Sequence, residues 1–176
     1  MGVNGLARRK EELLNVLIAV EKTINKNPEL DRNNIISNIS KRAAKQLKHV
    51  NRTLKIRKCE ELINKVEAKE YITDEAGNRI RLRGDVKDSF INEIIILSQS
   101  GKNSYTYYMD EEEDYMDGEA IFLNKDNEIE LVHANKIDGV VNYTHYTRLD
   151  DMLMQYTKTY TKDAHSYGSC LRKVRK

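Results

Sequence analysis

Ala120 to His133 reads AIFLNKDNEIELVH. Two short β-type runs, Ala120 to Asn124 and Glu128 to His133, flank Lys125-Asp126-Asn127, residue types that favour a tight turn. This spacing predicts a β-hairpin. Tyr105 to Met109 on one side and Val140 to Thr147 on the other are further strand candidates, so an antiparallel sheet is expected in the C-terminal half. Asp150 to Tyr160 then reads as a closing helix, with Leu149, Met152, Leu153 and Tyr156 turned inward. The end, SCLRKVRK, is expected to be loose.

The N-terminal half has a different period. Leu6, Leu13, Leu17, Val20 and Ile24 recur at helical spacing and predict an amphipathic helix over 6–25, ended by Asn27-Pro28. Asp31 is placed to cap a short helix over 32–39, and Ser40 to cap another from Lys41 to about Val50. The apolar register then shifts, because Ile56, Cys59, Ile63 and Val66 form a new stripe. A turn near His49 to Thr53 is therefore expected, with a fourth helix from Leu54 to Glu70. Ala76-Gly77-Asn78 marks a turn between strands 71–74 and 79–83, and Asp85 opens a helix carrying Val86, Phe90, Ile94 and Leu97. The fold class is α+β, with a helical N-terminal half, a two-stranded hairpin and a C-terminal antiparallel sheet. The organisation expected is an N-terminal helix over 1–30, a basic segment with hairpin over 31–84, an acidic Tyr-rich region over 85–165 and a basic tail over 166–176.

A chain of 176 residues with one proline and eight glycines has room for an ordinary core and little room for long linkers. No apolar run approaches the ~18 residues of a membrane helix. The N-terminus lacks the pattern of a signal peptide, so a cytoplasmic location is expected. Two cysteines cannot build a disulfide framework, and Cys59 reads as a buried thiol. The abundance of Lys, Asn and Ile points to an AT-rich genome, bacterial or viral. No nucleophile triad, phosphate-binding loop, dinucleotide fingerprint or complete metal motif is present, so neither a cofactor nor a catalytic residue is assigned.

A net charge of +2 conceals a strong separation. Residues 1–66 carry fifteen bases and seven acids, whereas residues 101–151 carry four and thirteen. Lys41 to Lys58, KRAAKQLKHVNRTLKIRK, holds eight bases and no acid. Lys41, Lys45, Lys48, Arg52 and Lys55 are spaced four, three, four and three, the spacing of one ridge on a continuous helix. Such a ridge can meet successive phosphates and release their counterions. Asn51, Gln46 and Arg52 are of types that read base edges. The expected contact set is Lys41, Arg42, Lys45, Lys48, Asn51, Arg52, Lys55 and Lys58, joined by Arg79 and Arg81 of the hairpin.

From Asn34 to Gly84 the order is short helix, basic helix, longer helix, hairpin, and the segment ends CEELINKVEAKEYITDEAGNRIRLRG. This order resembles the back half of a winged-helix DNA-binding domain. The resemblance implies a recognition helix near Arg52, Lys55 and Lys58, with Arg79 and Arg81 on the wing.

The acidic run Asp110 to Glu119, DEEEDYMDGE, contains no base. Carboxylates that converge with Glu128 and Glu130 can hold Mg²⁺ for phosphoryl transfer, although the lysine of an Asp…Glu-x-Lys nuclease is not in place. His133 and His145 lie on neighbouring strand candidates and are expected to be able to face each other. Nine of the ten tyrosines follow residue 100, and they read as core or interface. The reading as a whole is a small nucleic-acid-binding protein, regulatory or accessory, whose partner is duplex DNA. Its Tyr-rich acidic half would serve a homo-oligomer or a protein partner. The alternatives are an assembly protein joined through complementary basic and acidic halves, and a divergent Mg²⁺ nuclease.

Overall fold

The computed structural model describes residues 2–31 and 34–174, the side chains of 163–174 excepted. Two compact units, Met1–Lys58 and Cys59–Lys176, divide the chain. The fold is α+β, with helices concentrated in the N-terminal half and two antiparallel sheets.

In the first unit, helix α1 (Val3–Lys26) is followed by a 3-10 turn (Pro28–Asp31) and then by helix α2, which begins at Ile35. Asp31 caps α2: its Oδ1 accepts the main-chain N–H groups of Ile36 and Ser37, and its Oδ2 accepts the Ser37 hydroxyl. These bonds hold the Asp31 carboxyl below its ordinary pKa, the Ser37 hydroxyl contributing most. Leu6 and Leu13 of α1 are buried with Ala43, Val50 and Leu54 of α2.

Helix α2 runs unbroken from Ile35 to Glu67, so the turn expected at His49 to Thr53 does not form. Ser40 and Thr53 are interior positions rather than caps, and the Thr53 hydroxyl bonds back to the His49 carbonyl. The segment contains neither glycine nor proline to stop it. The register shift has another cause. Ala43, Val50 and Leu54 belong to the core of the first unit, while Cys59 and Val66 belong to that of the second. A change of packing partner thus mimics a helix break. Without that break, the separate recognition helix of the winged-helix pattern is absent.

In the second unit, strands β1 (Tyr71–Thr73) and β2 (Arg79–Arg81) form a two-stranded sheet around a turn containing Gly77 at φ 83°. Helix α3 (Gly84–Gln99) leads into a meander of β3 (Ser104–Glu111), β4 (Met116–Leu123), β5 (Ile129–Ile137) and β6 (Val140–Tyr146), in that spatial order. Helix α4 (Leu149–Val174) closes the chain, and continues well past Tyr160 into the segment expected to be loose. The side chains of the tail, Cys170 included, lie outside the described residues.

The core follows from strand alternation. Ile121 and Leu123 pair with Leu131 and Ile129, and these four meet Val86, Phe90, Ile94 and Leu97 of α3 and Met152, Leu153 and Tyr156 of α4. The predicted hairpin turn is built by Asn124, whose Oδ1 accepts N–H groups from Asp126 and Glu128. Asn127 adopts φ 63° there. Between β5 and β6 only Asp138 and Gly139 intervene, with φ 53° and 77°, as a two-residue I′ turn requires.

Candidate nucleic-acid interface

On the continuous α2, Lys41, Lys45, Lys48 and Arg52 fall within about 60° of one another and face away from the stripe that packs on α1. All four are exposed, and Arg42 is exposed beside them. The ridge is roughly 16 Å long at ~1.5 Å per residue. Among the described residues, no carboxylate pairs with Lys45, Lys48 or Arg52. The field of these three is therefore not cancelled locally.

The remaining predicted contacts divide. Lys55 is buried, at 3% exposure, and does not extend the ridge. Lys58 is half-buried. Asn51 is half-buried too, and its Oδ1 is enclosed without a hydrogen-bond partner, so it is not presented to bases. Gln46 is exposed, but its Oε1 accepts from Arg9 of α1 at 3.2 Å. Arg79 and Arg81 are exposed on β2, where the Arg79 guanidinium sits 3.8 Å above the Tyr71 ring. They belong to the second unit and the ridge to the first.

The acidic run does not converge with Glu128 and Glu130. Asp117 and Glu119 share the inner face of β4 with Ile121 and Leu123. Glu130 pairs with Phe122 on the outer face and binds Asn124 and His145, while Glu128 is exposed at the turn. His133 and His145 are likewise on opposite faces, because His145 pairs with Val132 and His133 with Thr144. Among the described residues, no group of three His, Cys, Asp or Glu side chains is arranged to hold a metal ion.

A second polar constellation was not anticipated from the sequence. Glu119 is buried, and its Oε2 accepts the Tyr107 hydroxyl at 2.8 Å. Its Oε1 accepts Gln155 Nε2 and the Thr159 hydroxyl. His133 lies between two acids, with Nδ1 3.3 Å from Glu119 Oε1 and Nε2 3.3 Å from Asp117 Oδ1. The second contact has ion-pair distance without hydrogen-bond alignment, since Asp117 Oδ1 makes no aligned bond. Asp117 Oδ2 receives Lys162 Nζ at 3.0 Å. Tyr107 reaches Glu119 because a bulge between Thr106 and Tyr108 inserts it as the extra residue of β3. Burial above all, and then the Glu119 charge, push the Tyr107 hydroxyl pKa far above its ordinary value.

A carboxylate offers about four acceptor sites. Three of those of Glu119 are engaged by Tyr107, Gln155 and Thr159, His133 Nδ1 lies beside them, and with the side chain buried no open side is left for a substrate. The cluster ties β3, β4, β5 and α4 together. A sequence signal for it existed: Asp117 and Glu119 continue the two-residue alternation of Ile121 and Leu123, but they sit within what reads as a solvated acidic run. No protein-family model, curated protein or solved structure matches this chain.

Proposed function

We propose that the chain binds nucleic acid, with duplex DNA as the ligand, through the phosphate backbone and the α2 ridge of its first unit. The observation that carries this reading is the exposed set Lys41, Lys45, Lys48 and Arg52 on one helix face, three of them without a carboxylate partner among the described residues. Arg42 flanks the ridge. Duplex DNA presents one charge per ~1.7 Å of axis, so a straight ridge of roughly 16 Å runs beside several phosphates. The half-buried Asn51 and the occupied Gln46 carbonyl leave little on this face to read bases. Binding by this face is therefore weakly sequence-selective, of the kind an accessory protein uses.

The test is the affinity for a short duplex across a salt series. Affinity should fall with a log–log slope near −0.9 per phosphate contacted, about −4 for four ridge side chains. Absence of binding at low salt, or a slope near zero, rejects the reading.

A further inference from the structure

The two edges of the four-stranded sheet differ in a way that bears on what the protein meets. Edge strand β3 is interrupted by the bulge at Thr106/Tyr108 and ends in Asp110 and Glu111. Bulges and charges are devices that keep an edge from pairing with another chain. Edge strand β6, VVNYTHY, has neither. Its register against β5 is uninterrupted from Leu131↔Tyr146 to Ile137↔Val140, and it carries no Lys, Arg, Asp or Glu. It is rich in β-formers, and Val140 and Tyr143 are 62% and 65% exposed.

We propose that β6 pairs antiparallel with β6 of a second copy of this chain, joining two four-stranded sheets into one of eight strands. The backbone makes the strand its own complement. The two-residue turn at Asp138-Gly139 makes Ile137 and Val140 a hydrogen-bonded pair, and the pairs alternate from there. Val140, Asn142, Thr144 and Tyr146 thus direct their main-chain groups to β5. Val141, Tyr143 and His145 direct theirs outward.

A two-fold axis at Tyr143 sets Tyr143 against the partner's Tyr143 and Val141 against the partner's His145, forming about six main-chain hydrogen bonds. The intervening pairs are Asn142 with the partner's Thr144 and Val140 with the partner's Tyr146. Aromatic, β-branched and polar pairs of this kind are favourable in antiparallel sheets, and no like charges oppose each other. Charge favours this edge over the other, since Asp110 and Glu111 belong to β3, three strands away. The register also brings the partner's Val140 opposite Tyr146, on the face of β6 shared with Leu131. An exposed valine thereby gains an apolar neighbour.

The test combines sedimentation of the full chain over a concentration series with hydrogen exchange. A dimer is expected, with the amides of Val141, Tyr143 and His145 slowing as it forms. Tyr143→Pro removes one outward N–H and no bond to β5, so it should give a monomer with unchanged circular dichroism. Should that variant fold poorly, Tyr143→Lys serves instead, because it adds like charges at the axis and leaves the strand intact. A wild-type chain that stays monomeric overturns the proposal. So does a dimer that survives both substitutions, or one whose three amides exchange at the monomer rate. Slowing of those amides only on addition of an extended peptide of another protein rejects the second copy as occupant.

Discussion

Lys69 Nζ lies 2.6 Å from Asp150 Oδ1, an ion pair between the segment that follows α2 and the first turn of α4. The other oxygen of Asp150 accepts the Thr73 main-chain N–H at 3.0 Å. One carboxylate thus joins three parts of the second unit, and a negative charge in the first turn of α4 also suits the helix dipole. Burial pushes the Asp150 pKa up, but the Lys69 and Thr73 bonds outweigh it, so it lies below its ordinary value.

A group whose pKa is depressed on folding stabilises above its unfolded value, and that stability disappears as pH falls through the folded value. Asp150→Asn should therefore lower stability at neutral pH by about 1–3 kcal/mol, since Lys69 loses its charge partner. The difference from wild type should close as pH falls below the carboxylate range. Urea midpoints across that pH range measure both effects.

Glu119→Gln replaces an acceptor that serves several donors with a group that is itself half donor. Donors among Tyr107, Gln155 and Thr159 are then left unmatched, at a cost of about 1–3 kcal/mol. Tyr107→Phe should cost less. The double variant should be less destabilised than the sum of the singles, because both act on one network. Denaturant unfolding of the three variants checks this.

Tyr107 and Tyr156 should ionise later than free tyrosine in an alkaline titration. Burial raises both, with nearby Glu119 adding to it for Tyr107 and Glu93 for Tyr156. A pKa raised on folding contributes stability below the unfolded value and loses it as pH climbs through the folded value. Tyrosinate absorbance should rise first without unfolding and then rise again with loss of structure. Tyr107→Phe should shrink the second step.

The continuity of α2 has its own test. His49 is exposed and opens the stretch over which the sequence predicts a turn. His49→Pro inside an unbroken helix should cost about 3 kcal/mol or more, through the lost hydrogen bond and the ring clash. At a turn the same change would be nearly neutral. Thermal unfolding distinguishes the two.

Single alanine substitutions at Lys45, Lys48 and Arg52 should each reduce the salt slope of duplex binding by about 0.9 while leaving the melting temperature unchanged. Equal slopes in wild type and the triple variant would show that the phosphates are met elsewhere.

Much of the fold was legible. The strand candidates around Ala120 to His133, the α1 stripe, the Asp31 cap and the start of the closing helix all appear within a few residues of their predicted places. Three features were not legible. The shift from Leu54 to Ile56 and Cys59 reads as a break when it marks a change of partner. Lys55 has the spacing of the ridge, yet it is buried. Asp117 and Glu119 look like part of a solvated run, yet their strand face is covered.

The order of residues alone determined α1, α3, the hairpins and the separation of charge, because helical period, two-residue alternation and turn chemistry all act between near neighbours. Tertiary structure alone decided which charges face water. Burial of Glu119 depends on Thr159, forty residues onward, and on a bulge that delivers Tyr107 to it. Desolvating a carboxylate is tolerated only where such distant donors converge, and no local pattern records that convergence.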